Sequence, residues 1–124
     1  MLSNLLGIEF EPTHPETTVV LADVAGPGRA ALATLLAGIP GIALVGEVGD
    51  HETLESVLTE TAPDVLVVDD RLLGGAPDGT TKIIVIGADD DPGFAVRAAR
   101  LGALAWIPKD SADAMLPALL GGAL

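Results

Sequence analysis

From residue 18 the chain alternates short β-branched runs with stretches of helical spacing. Thr18–Ala22 (TVVLA) reads as a first strand, and Arg29–Leu36 (RAALATLL), entered through Gly26-Pro27-Gly28, reads as a helix. Ile42–Val48 (IALVGEV) is a second strand, and Glu52–Thr61 sets Leu54, Val57 and Leu58 on one helical face. Val65–Val68 (VLVV) and Lys82–Ile86 (KIIVI) are near-continuous apolar runs, the pattern of strands buried on both faces. Pro92–Leu101 is predicted as a helix, Ala103–Ile107 as a fifth strand and Ala112–Leu120 as a last helix, with Ser111 as its N-cap.

Strands that alternate with helices predict βαβ units around a parallel sheet. The expected class is α/β, a flavodoxin-like, doubly wound, five-stranded domain over residues 18–124, preceded by an extension over residues 1–17. One helix is missing from that scheme. The stretch between Asp69 and Lys82 carries three glycines and a proline and cannot hold a helix with two loops. Twelve extended residues still span up to ~40 Å, against ~17 Å for a five-residue strand, so a loop crossover keeps the fourth strand parallel. Without that helix, apolar sheet surface near Val65, Val67, Ile84 or Ile86 is expected to lie open. The crossover loop, the N-terminal segment Leu2–Phe10 or a second subunit is expected to cover it.

Composition narrows the chemistry. Apolar residues are 49% of the 124, yet Trp106, Phe10 and Phe94 are the only aromatics, so Val, Ile, Leu and Ala must build the core. The absence of cysteine excludes disulfides and thiolate metal sites, and His14 and His51 make no ligand pair. His14 is expected exposed and His51 at a helix start. With a net charge of −12 and six basic residues, of which Arg97 and Arg100 are the densest pair, direct nucleic-acid binding is not expected. No apolar run approaches the ~20 residues of a membrane span, and Met1–Leu6 lacks a basic signal-peptide start. A cytoplasmic chain is the expectation.

In open parallel sheets, ligands bind beyond the carboxyl ends of the strands. Strand one ends at Asp23, strand three at Asp69-Asp70, strand four at Gly87-Ala88 and strand five at Pro108-Lys109. Strand order thus brings two carboxylates and an ammonium group to one rim, while alternation turns Asp70 away from Asp69. Asp89, Asp90 and Asp91 fit a helix start, where the dipole favours negative charge.

Pro63-Asp64-Val65-Leu66-Val67-Val68-Asp69 resembles the strand-three motif of response-regulator receiver domains. Asp70-Arg71-Leu72-Leu73-Gly74 is similar to that family's following loop, with Leu73 where proline is common. Gly102–Asp110 (GALAWIPKD) resembles its fifth strand and lysine. Asp90-Asp91-Pro92 and Lys109-Asp110 look most like receivers joined to LuxR-type DNA-binding domains, and the likeness runs over about residues 18–120. The resemblance implies that Asp69 is a phospho-acceptor for a sensor histidine kinase, that Lys109 pairs with phosphoryl oxygens, and that Asp23, Asp69 and the Arg71 carbonyl hold Mg²⁺. A carboxylate attacking a phosphoryl group needs its charge offset, and a metal with an ammonium group supplies that.

The departures weaken this reading. Val24 stands where the family has a second acid, so no cofactor is firmly expected and any Mg²⁺ is held weakly. Gly87 stands where the family has a hydroxyl, and Trp106 replaces a smaller aromatic. The indole is expected to fill the space beside Gly87 and fix one conformation, with a plain core position as the alternative. Asp23 and Asp69 can instead be strand-end acids capping loops, and Lys109 a structural partner of Asp69.

The leading expectation is a non-enzymatic pseudo-receiver, a protein-interaction or homodimerisation module in signal transduction. The alternative is a phosphorylatable receiver using Asp69. If a longer protein carries an effector domain, the resemblance implies a C-terminal DNA-binding domain of LuxR type. A small flavodoxin-like enzyme is disfavoured, because no Gly-rich dinucleotide or P-loop motif and no Ser–His or Cys–His set occurs.

Overall fold

The computed structural model describes residues 16–24, 26–72, 81–87 and 93–122. Five strands, β1 (Thr17–Ala22), β2 (Ile42–Val48), β3 (Val65–Asp69), β4 (Lys82–Gly87) and β5 (Ala105–Pro108), form one sheet in the order β2-β1-β3-β4-β5, with every neighbouring pair parallel. Among the described residues four helices, α1 (Pro27–Ala37), α2 (His51–Thr61), α3 (Phe94–Arg100) and α4 (Ala112–Gly122), lie between and after them. The expected α/β class and five-stranded parallel sheet are therefore present. The segment Leu2–Phe10, His14, the acids Asp89–Asp91 and residues 73–80 of the crossover lie outside the described residues. No helix among the described residues is long and apolar enough to cross a membrane.

Local chemistry sets where the elements begin and stop. α1 starts at Pro27, whose missing N–H costs nothing in a first turn, after Gly26 at φ 147, a conformation open to glycine. α2 starts at His51 because the Asp50 side chain accepts from the Thr53 N–H at 2.7 Å. β5 starts two residues later than expected. Gly102 turns at φ 71, its N–H donates to the Ala99 carbonyl and the Ala103 N–H to the Ala98 carbonyl, so Ala103 still belongs to the end of α3. Ser111 is not a flanking cap, since it lies in a 3-10 turn, Lys109–Ser111, that runs straight into α4.

α2 ends on Ala62 at φ 43, where the Cβ crowds the backbone. Ala62→Gly should therefore stabilise the domain by about 0.5–1 kcal/mol in urea unfolding, since strain relief exceeds the extra freedom of the unfolded chain. A stability loss would show that the left-handed turn carries no strain.

Strand alternation divides the core into two layers. Val19, Leu21, Val65, Val67, Ile84, Ile86 and Ile107 pack under Leu32 and Leu36 of α1 and Leu116 and Leu120 of α4. Val20, Ala22, Leu66, Val68, Ile83 and Val85 face Leu54 of α2 and Ala98 of α3. This corrects the expected exposure near Val65, Val67, Ile84 and Ile86, which are all fully buried. Those four residues have the parity of the α1–α4 side, whereas the turn Asp70–Leu72 that follows β3 borders the α2–α3 side. There Leu66, Val68, Ile83 and Val85 are buried as well, with Val57, Leu58, Leu72 and Ala103 packed against them.

Candidate functional site

The site is assembled by register. At the amino-terminal end of the sheet, Asp64 accepts from the Thr18 N–H at 2.9 Å and the Thr18 hydroxyl at 3.1 Å, pinning β1 to β3. From there Val19 pairs with Val65 and Ala22 with Val68, so the next residues, Asp23 and Asp69, leave the sheet side by side. On the other flank Gly87 pairs with Pro108, and the chain leaves β5 at Lys109. The lysine stem reaches back across β4 to β3, two strand spacings of about 5 Å each.

Asp23 and Asp69 are the two buried charged residues among those described, at 1% and 2% exposure. Lys109 Nζ joins them, 2.7 Å from Asp69 Oδ2 and 2.9 and 3.1 Å from the two oxygens of Asp23. A second cation enters from β3 itself. The chain turns through a 3-10 segment, Asp70–Leu72, that folds Arg71 back over the strand end. Its backbone N–H reaches Asp69 Oδ1 at 2.7 Å, and its guanidinium donates from Nε to Oδ1 at 3.0 Å and from Nη2 to Oδ2 at 3.1 Å. The same Nη2 lies 3.9 Å from Asp23 Oδ1, which also accepts the Val24 N–H.

Each of the four carboxylate oxygens thus faces a cation, and the charges sum to zero. Burial pushes the Asp69 carboxyl up, but hydrogen bonds from Arg71 and Lys109 outweigh it and hold the carboxyl far below the usual range. Lys109 shows the mirror case: burial lowers it, yet its bonds to Asp69 and Asp23 leave it raised.

Asp23, Asp69, Lys109 and Arg71 are brought together, and Gly87 sits buried at the end of β4 beside Pro108. Trp106 is different. It keeps 44% of its surface exposed and pairs in register with Val85, so the expected core position is corrected. β5 is an edge strand and Ile107, its neighbour of opposite parity, takes the core place. Asp70 turns away from Asp69 as expected and binds Arg97 of α3 through both carboxylate oxygens, a pair not foreseen. His51 begins α2 and its Nδ1 donates to the Leu72 carbonyl at 3.2 Å.

The Arg71 side chain is the functional group that sequence reasoning missed, having offered only its carbonyl. The sequence marked only a basic residue two positions beyond a strand-end aspartate; its direction is set by the contacts of the turn with α3 and α2. Mg²⁺ asks for about six oxygen ligands in octahedral array. Here Val24 supplies no carboxylate, both aspartates are engaged by cations, and no group of three acidic or histidine ligands forms among the described residues. The residues as they stand do not fit the ion.

No protein-family model and no curated protein matches the sequence. Solved structures do. The receiver domain of the response regulator NarL from Mycobacterium tuberculosis is 24% identical with a TM-score of 0.73, the match covering 86% of this chain and 94% of that one. A LuxR-family two-component response regulator from an Aurantimonas species is 26% identical over 86% of each chain, TM-score 0.70. The isolated receiver domain of RcsB from Salmonella enterica, solved with a phosphomimetic, is 21% identical with a TM-score of 0.70, over 85% of this chain and 86% of that one. The edge where Asp23, Asp69 and Lys109 meet thus belongs to the fold of the response-regulator receiver domains.

Proposed function

We propose that the chain acts as an atypical receiver, a cytoplasmic protein-interaction or dimerisation module in signal transduction and transcription control, with its phospho-acceptor pocket closed by its own cations. One observation carries this reading: both oxygens of Asp69 are already held, Oδ1 by Arg71 and Oδ2 by Lys109 and Arg71 together. A nucleophilic carboxylate must give up at least one such contact to attack phosphorus. Val24 and Gly87 also remove an acid and a hydroxyl that the resemblance would require. For the interaction role, Val96 on α3, Leu104 in the turn before β5 and Trp106 on β5 are large apolar residues left between 44% and 52% exposed.

The competing reading is a phosphorylatable receiver, favoured by the 2.7 Å approach of Lys109 to Asp69. Intact mass after incubation with acetyl phosphate and Mg²⁺ separates the two. The expected spectrum shows the unmodified chain. Addition of one phosphoryl group, absent from an Asp69→Asn control, would establish the competing reading instead.

A further inference from the structure

The disagreement between the pocket and Mg²⁺ has a positive content. Arg71 is 63% exposed and belongs to a three-residue turn, so nothing about its burial holds it over Asp69. Its placement is fixed by what flanks it. Asp70, before it, is bound by Arg97 of α3, and the carbonyl of Leu72, after it, accepts from His51 of α2. The turn is therefore tied to both helices of one sheet face, and the residue between the ties is aimed at the strand end. There the guanidinium meets Asp69 by two parallel N–H···O contacts and approaches Asp23 at 3.9 Å. This planar, two-point match to a carboxylate is the geometry for which arginine is suited and lysine is not.

We infer that Arg71 is the resident cation of this pocket and takes the place of a divalent metal, so the domain's structure and stability do not respond to divalent cations. Two buried carboxylates require about two positive charges to remain ionised. Lys109 supplies one and Arg71 the other. A divalent ion would have to displace the guanidinium and would then lie close to Lys109, turning a neutral cluster into one carrying excess positive charge. With Arg71 gone, the balance reverses: two carboxylates face one ammonium group, and a small oxygen-seeking cation offsets the deficit. This rests on the reading of a pocket closed by its own side chains.

The test is a titration of Mn²⁺, and of Mg²⁺ beside it, into wild type, Arg71→Lys, Arg71→Met and the double variant Arg71→Met/Asp23→Asn. It is followed by calorimetric binding and by the thermal midpoint. The expected order of Mn²⁺ affinity is Arg71→Met, then Arg71→Lys, then wild type, the first exceeding the last by at least about tenfold. The midpoint of Arg71→Met should rise with Mn²⁺, that of wild type should stay flat, and the double variant should lose the response. Arg71→Lys keeps a charge at the turn and reports the trend should Arg71→Met fail to fold. Wild-type binding as tight as that of either single variant, or folded variants without gained affinity, would overturn the inference. Because no phosphoryl donor is present, the result does not depend on whether Asp69 can be phosphorylated.

Discussion

Lys109→Met should cost the domain about 2–3 kcal/mol at pH 7, the larger part of a difference that vanishes at both pH extremes. Breaking a buried ion pair costs about 3–5 kcal/mol when the remaining charge is stranded, and a partner one-third exposed deserves a discount for solvent screening. Methionine keeps the stem's packing and removes only the charge, leaving Asp23 and Asp69 buried with Arg71 alone. The pH dependence follows from the two shifts. The Asp69 carboxyl is held below its unfolded value, so its contribution is present above about pH 4 and is lost as pH falls through the folded value. Lys109 is raised, so its contribution is present below about pH 10 and is lost as pH climbs through the folded value. The gap between wild type and variant should therefore be a plateau from about pH 5 to 9 that closes on either side. Urea unfolding across that range measures it. A gap under about 1 kcal/mol at neutral pH, or one that widens in acid, would show that the ammonium group is not balancing buried carboxylates.

Leu66→Ala is expected to cost about 2–5 kcal/mol, the same class of loss as Ile84→Ala. The comparison bears on the short crossover. Ile84 lies in the layer under α1 and α4, Leu66 in the layer under α2 and α3, and both are buried to within 1%. If the α2–α3 side were open for want of a helix, Leu66 would already be part-solvated and its truncation would remove little buried surface. Equal losses from the two substitutions mean two closed layers. A loss at Leu66 below half that at Ile84 would show that the sheet is covered on one side only.

Much of this was legible in the sequence because the strands are short, apolar and separated by unambiguous turn residues. Ile42–Val48 is read to the residue, and β1, β3 and β4 to within one. The misreadings have local causes. The Gly102 turn folds Ala103 back onto α3, a hydrogen-bonding choice that hydropathy does not register. Exposure is expected near Val65, Val67, Ile84 and Ile86 because a run apolar on both faces carries no mark of which parity faces which helix. A core position for Trp106 fails because it stands on the edge strand with the parity opposite to Ile107.

What the chain's order of residues determined by itself is the convergence of Asp23, Asp69 and Lys109. In a parallel sheet every strand delivers its last residue to the same edge, so strand-end identity suffices. What only the folded arrangement decided is the state of those charges. Four oxygens and two cations close on one another because the turn after β3, tied to α2 and α3, carries a guanidinium back to within 3.1 Å of Asp69. A side chain's direction out of a three-residue turn depends on contacts with helices distant in sequence, and no linear pattern encodes it.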